Sequence, residues 1–403
     1  MLRSFSACLF FVTIVFIGCQ PKNPVDRMTD EELKAYADEL AHRFIIADGH
    51  IDLPYLLKEK QFDPGKHSAD TLVHTGKGEF DYERAKKGGL DAPFMSIYIP
   101  VEDQRRPDMG KGLADSLINV VTWITQQLPD KFALANTPGE VTENFRQGKV
   151  SLPMGMENGA PVGNDLANLK YFFDRGIRYI TLTHNADNQI CDASNDTTHT
   201  WKGLSPFGYT VIEEMNRLGI MVDLSHVDDS TFYQAVRISK APPIASHSSC
   251  KHFAPKVARD MTDDMIKKMG EAGGVILINF YTAFLDSASF NNRAKLRALL
   301  AEKGLSDTDS LAKPIIEQFK KDNPNPTTIE MVANHIDHVV KIAGIDHVGF
   351  GSDFDGVDSN LPVGLEDVSK YPNLIYTLLK RGYNEDQIER ICSRNFFRVW
   401  NKT

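Results

Sequence analysis

Eight short apolar runs, most of them followed by a helix-favouring stretch, constrain this chain more than any other feature of its sequence. They are Phe44–Asp52, Phe94–Pro100, Val150–Glu157, Arg178–His184, Gly219–His226, Pro243–His247, Gly274–Tyr281 and His347–Asp353. Between them lie amphipathic or helix-favouring segments, among them Leu113–Gln127, Leu166–Arg175, Pro206–Leu218, Thr262–Ala272 and Thr328–Ala343. This alternation predicts an α/β fold with a parallel sheet covered by helices. Eight units predict a closed (β/α)8 barrel of the TIM type rather than an open doubly wound sheet. No GxGxxG opens a helix after the first run, so nothing supports a dinucleotide-binding sheet. The stretch from Thr282 to Asn325 is longer and more charged than a simple crossover. It reads as a helical insertion over the barrel mouth or its side. Thr29-Asp30-Glu31-Glu32 carries a capping box and predicts a helix through about His42.

The chemistry lies where these runs end. The first closes on His50-Ile51-Asp52, and alternate strand residues share a face, so His50 and Asp52 project together. The third closes on Glu157, the fourth on His184, the fifth on His226, the sixth on His247, and the eighth on Asp353 and Asp355. In such barrels the C-terminal strand ends form the active site. A single histidine there is more often a packed interior residue than a ligand. Four at one end of one barrel are hard to explain by packing. Nitrogen and oxygen donors without sulfur suit Zn²⁺, with Mn²⁺, Co²⁺ or Ni²⁺ as substitutes.

The donors suffice for two ions. Two metals about 3.5–4 Å apart need a group that touches both, and a carboxylate has two oxygens. Glu157, central in strand order, is the expected bridge, with His50 and Asp52 on one ion and His226 and His247 on the other. A water on such ions has its pKa brought to about 7, which makes it a nucleophile at neutral pH.

The N-terminus reads as a processing segment outside the fold. Arg3 precedes an apolar run, Leu9 to Ile17, too short to span a bilayer. The run ends in Phe16-Ile17-Gly18-Cys19, which resembles the bacterial lipoprotein signal. That resemblance implies cleavage after Gly18, a lipidated Cys19 and a tether to residue 28, leaving 29–403 as one catalytic barrel domain, with a plain secretory peptide as the alternative. The protein is therefore expected to be exported and anchored in a membrane through lipid at Cys19, in the periplasm or at the outer membrane. The net charge of −9 is spread along the chain without a basic patch, which argues against nucleic acid as a partner. Beyond the leader, Cys191, Cys250 and Cys392 show no CxxC spacing, so neither a disulfide framework nor a cysteine metal site is expected.

The motifs DGHID at 48–52, GMENG at 155–159, RYITLTH at 178–184, DLSH at 223–226, SHSS at 246–249 and GFGSDFDG at 349–356 resemble those of the membrane dipeptidases. The family resemblance, which runs from about Ile46 to Trp400, implies a binuclear zinc dipeptidase that accepts a D-residue at the C-terminal position. It implies that His50, Asp52, Glu157, His226 and His247 hold the metals and that His184 steadies the oxyanion of the scissile carbonyl. Arg259 would pair with the substrate carboxylate, Asp353 would shuttle the proton, and Tyr281 and Tyr55 would line the pocket. A homodimer is also implied, although nothing in the chain's own pattern points to one. Asp355 reads as a hydrogen-bonded structural carboxylate, and His335 and His338 as structural. Two other readings use the same core: a different metal-dependent amidohydrolase or lactonase, and a non-catalytic peptide-binding lipoprotein. An intact Asp353 disfavours the second, since a binder has no use for a proton shuttle.

Overall fold

The structure, a computed structural model, describes residues 24–60, 68–306, 309–324 and 326–403. Residues 1–23, with the leader and Cys19, lie outside them. The strands in chain order are β1 Ile46–Ile51, β2 Leu90–Tyr98, β3 Phe132–Ala133, β4 Val150–Ser151, β5 Met154–Glu157, β6 Ile177–Thr181, β7 Met221–Asp223, β8 Ile244–Ser248, β9 Val275–Ile278 and β10 Val348–Phe350. Eight of them close a parallel barrel in the order β1-β10-β9-β8-β7-β6-β5-β2, and β3 pairs with β4 apart from it. The expected α/β barrel is what the chain forms. Among the described residues no helix is long and apolar enough to cross a membrane.

Five of the expected runs need their boundaries corrected. The run Val150–Glu157 is two strands, because Pro153 has no N–H to continue the ladder; β4 joins the side sheet and β5 the barrel. The second strand starts four residues earlier than the apolar run, at Leu90. The fourth, fifth and eighth strands stop at Thr181, Asp223 and Phe350, so His184, His226 and Asp353 sit in the turns beyond. Both His226 and Asp353 take positive φ, 69° and 66°, a conformation held only where surroundings fix it.

Local signals account for most helices. Thr29 accepts from the Glu32 amide at 3.2 Å and Glu32 reaches back to the Thr29 amide at 2.8 Å, which starts the helix Asp30–Arg43. Ser205, with Pro206 behind it, starts Pro206–Leu218, and Gly219 ends that helix in the left-handed conformation. The insertion forms helices Thr282–Leu285, Ser287–Glu302 and Lys313–Asp322.

Two apolar clusters hold the barrel. One lies between strands and helices. The other is Ala47, Phe94, Tyr179, Met221 and Leu277, packed with Phe396, Val399 and Trp400 from the last helix. Phe94 lies 4.9 Å from both the Phe396 and Trp400 rings, so the C-terminal helix plugs the end of the barrel away from the strand C-termini. The Tyr179 ring crosses the interior over Gly155, where a Cβ would stand 2.0 Å from the ring. Only glycine fits there.

Candidate metal centre

The strand register delivers the site. Tyr98, Glu157, Thr181 and Asp223 are matched in one row across β2, β5, β6 and β7. In β1 the register slips between Asp48 and Ile51, the kind of irregularity that re-aims a side chain, and His50 follows it into the mouth. Asp52 follows the last residue of that strand and stands at the N-cap of the helix Leu53–Glu59.

Glu157 stands at the centre, 4 % exposed. Its Oε1 lies 3.1 Å from His226 Nε2 and 3.5 Å from His247 Nε2, and those two nitrogens are 2.9 Å apart. Its Oε2 lies 3.3 Å from His50 Nε2, which is 3.4 Å from Asp52 Oδ2. Donors around one tetrahedral ion with bonds of about 2.1 Å stand about 3.4 Å apart. The two sets have that spacing, and Glu157 belongs to both. His50 Nε2 and Asp52 Oδ1 are buried without a hydrogen-bond partner, which is costly for polar atoms unless a cation meets them. The residues fit a pair of divalent ions.

The far nitrogens of two histidines are held. Tyr179 Oη donates to the Gly49 carbonyl at 2.9 Å, so it accepts from His50 Nδ1, also at 2.9 Å. Ser246 Oγ donates to Asp223 Oδ2 at 2.6 Å and accepts from His247 Nδ1 at 2.8 Å. In the neutral form both imidazoles therefore carry their proton on Nδ1 and turn Nε2 to the centre, free for a cation that displaces any proton there. Asp223 is fixed in turn by Thr181 Oγ1 at 2.5 Å and by the amides of Ser225 and Ser246.

Electrostatics favour added positive charge. Burial opposes ionisation of Glu157, but His50 and His184, then His226 and His247, outweigh it and hold its pKa well below normal. Burial pushes His226 and His247 well below normal and lowers His184. His50 goes the other way: burial disfavours its charge, yet Tyr179, Glu157 and Asp52 hold its pKa well above normal. One carboxylate thus serves four imidazoles that cannot all be protonated.

The remaining expected residues surround this pair of donor sets. His184 Nε2 is 3.6 Å from Glu157 Oε1, and its ring lies 4.4 Å from that of His226. Asp353 clusters with His50 and Asp52. Its Oδ2 accepts from Asn279 Nδ2 at 2.8 Å, and its amide donates to the His50 carbonyl at 3.1 Å. Burial, with Asp52 and Glu157 adding to it against His50, pushes Asp353 up to about 7. Gly356 makes room here: a Cβ would stand 2.2 Å from Asp52 Oδ2.

Arg259 is 5 % exposed and donates from Nη2 to the His247 carbonyl at 2.9 Å. Its Nε and Nη1 are buried without partners, and its guanidinium lies 4.7 Å from the Phe284 ring centre. Tyr281 is buried with an unpartnered hydroxyl. Tyr55 is half-buried, edge-on to Tyr98 at 4.8 Å.

Asp355 is a structural carboxylate, as expected, though its partner is the Glu79 amide at 2.6 Å from a distant loop rather than the segment that follows it. His335 bonds the Cys250 amide and the Leu285 carbonyl, and His338 bonds Asp263, which keeps both in the scaffold. The three cysteines Cys191, Cys250 and Cys392 are free and buried. Tyr98, whose ring meets His184 edge-on at 4.8 Å, and the supports Tyr179, Asp223 and Asn279 carry no functional signal in the sequence. Aromatic residues in apolar strands read as core, and only a paired ligand across the barrel reveals their second contact.

The sequence matches the model of the membrane dipeptidase family (peptidase family M19) over residues 34–403. It is 34 % identical over 371 residues to a protein named as an uncharacterized dipeptidase of Schizosaccharomyces pombe, covering 89 % of this chain and 81 % of that one. Among solved structures, the probable dipeptidase PvdM from Pseudomonas aeruginosa superimposes with TM-score 0.78 at 27 % identity, covering 92 % of this chain and 98 % of that one. A metallopeptidase from Rhodobacter sphaeroides, liganded with a phosphinate mimic of the dipeptide L-Ala-D-Ala, gives TM-score 0.73 at 25 % identity, covering 89 % and 99 %.

Proposed function

The chain belongs to the membrane dipeptidase family, a family of metal-dependent dipeptidases, and from that premise we propose a binuclear zinc enzyme that cleaves dipeptides, including those with a C-terminal D-residue. The observation that carries the reading is Glu157, whose two oxygens face separate donor sets. Bound there, the ions would supply a water activated for attack and polarise the carbonyl. The chain's residues do the rest. His50 and Asp52 would hold one ion and His226 and His247 the other, with Glu157 offering an oxygen to each donor set.

Arg259, with two unpartnered guanidinium atoms beside the centre, takes the free C-terminal carboxylate by a two-pronged contact. This limits the substrate to one residue beyond the scissile bond. His184 donates to the carbonyl oxygen as it gains charge. Asp353, poised near 7 and steered by Asn279, accepts a proton from the attacking water and gives it to the leaving amine. Tyr55 and Tyr281 line the two sides of the substrate. Tolerance of a D-residue draws support from the L-Ala-D-Ala mimic bound by the Rhodobacter relative. We further propose export and anchoring through lipid on Cys19 in the periplasm or outer membrane, resting on the leader sequence.

Hydrolysis of a dipeptide panel by zinc-loaded protein tests the reading, together with metal analysis expecting two ions per chain on the argument from paired donor sets. Glu157→Gln and Asp353→Asn are each expected to lose activity, and full activity in either removes its role. Arg259→Ala should raise KM for free-carboxylate dipeptides by about a hundredfold; an unchanged KM favours an amidohydrolase or lactonase.

A further inference from the structure

Apart from the donors around Glu157, the side chains of His252, Asp263 and His338 bring one ligand atom each within 4.8 Å of one another. They come from three elements: the loop after β8, the first residue of the helix Asp263–Glu271, and the helix Ile329–Ala343. His338 Nε2 bonds Asp263 Oδ1 at 2.7 Å. The His252 ring lies face to face with the His338 ring, 4.5 Å between centres and 18° between planes. Asp264, next in its helix, adds a second carboxylate nearby, bonded by Tyr233 Oη at 2.9 Å.

Two imidazoles and a carboxylate are the donors of a borderline transition cation, Zn²⁺, Ni²⁺ or Cu²⁺, rather than of Ca²⁺ or Mg²⁺. His338 and Asp263 share a proton, and a cation takes the place of such a proton when it binds. Donors around a tetrahedral ion stand about 3.4 Å apart. The pair therefore opens only slightly from 2.7 Å, and the Asp263 side chain, 60 % exposed, is free to make that movement. His252 is exposed on its loop and is equally free to turn.

We propose that His252, Asp263 and His338 form a cation site separate from the metal pair, filled by Zn²⁺ or a like transition ion, and that this ion braces the loop carrying Arg259. The neck of that loop is closed by the Lys251 amide on the Met261 carbonyl at 2.8 Å and the Met261 amide on the Ser249 carbonyl at 2.9 Å. The Cys250 amide bonds His335 Nδ1 at 3.0 Å, one turn before His338 on the same helix. An ion on His252 adds a second tie between loop and helix. Arg259 lies between the ligands His252 and Asp263 in sequence, with its Nη2 on the His247 carbonyl. An open site of three donors holds its ion less tightly than the mouth, so it fills in excess zinc, after the paired donor sets.

Zinc-loaded protein, freed of excess metal by gel filtration, is titrated calorimetrically with Zn²⁺ at about pH 7.5, where ordinary imidazoles are neutral. The wild type is expected to take up one further ion. His252→Ala, at an exposed position, and His338→Gln, which keeps a donor for Asp263, should each weaken that uptake by more than about tenfold, since a ligand is worth at least as much as a supporting residue. His199→Ala, at an exposed histidine grouped with Asp192 and Asp228, is the control and should leave the uptake unchanged. No further uptake by the wild type, uptake that either ligand variant keeps unchanged, or uptake lost in His199→Ala overturns the site. Amide exchange across residues 253–262 should slow when zinc is added to the wild type and not when it is added to His252→Ala. Equal exchange in the two overturns the brace. All variants share one mouth, so the outcome is independent of how many ions Glu157 serves and of the dipeptidase activity.

Discussion

The histidines at the mouth are set by atoms that never meet the substrate. Tyr179 fixes His50 through Nδ1, and Ser246 with Asp223 fixes His247. Tyr179→Phe removes the acceptor for the His50 proton and leaves the Gly49 carbonyl unpaired. Loss of such a support typically weakens metal binding by about 10–100-fold. A zinc titration followed by activity should show the midpoint moved by that amount, with most of kcat restored at saturating zinc. An unmoved midpoint would reduce Tyr179 to core packing. The polar residues that meet at the mouth were legible in the sequence, because four histidines at one end of one barrel are hard to explain by packing. Their supports were less so: Tyr179 reads as an ordinary strand aromatic, and Asp223 stands out in the sequence only as a neighbour of His226.

At the scale of elements, the parallel strands were legible as apolar runs because helices cover them on one side and the filled interior on the other. Their ends were not, since the pattern of burial continues into the turns that carry His184, His226 and Asp353. Nor was the detachment of β4, which depends on where the missing N–H of Pro153 falls in the ladder.

One strand carries a charge problem of its own. Asp91 in β2 is 2 % exposed, accepts from the Ile46 amide at 3.3 Å and has Lys86 only at 3.9 Å. Burial pushes it up to about 7. The folded chain therefore holds a proton that the unfolded one releases near pH 4, so stability falls as pH rises from about 4 to 7. Asp91→Asn should remove that slope. The variant's melting temperature is expected to gain about 2 °C or more over wild type at pH 8 and little at pH 5; an equal change at both values would contradict the assignment.

For the molecule as a whole, the site and the stability of the barrel are linked. Four imidazoles and at least two carboxylates from five strands converge on one small volume. Ions that bind only the folded chain stabilise it by mass action. Chelation should lower the melting temperature by about 5–10 °C, reversibly with zinc, while far-ultraviolet circular dichroism stays unchanged. Loss of helical signal on chelation would show that the metals build the fold rather than occupy it. The expected outcome follows from how the barrel is closed: Phe396, Val399 and Trp400 seal its far end by apolar contact, with Asn395 and Arg398 of the same helix bonding backbone carbonyls. With His50 and His247 each tied at the rear nitrogen, the cradle should keep its form when it is empty. The polypeptide is then expected to lose and regain its ions without passing through an unfolded state.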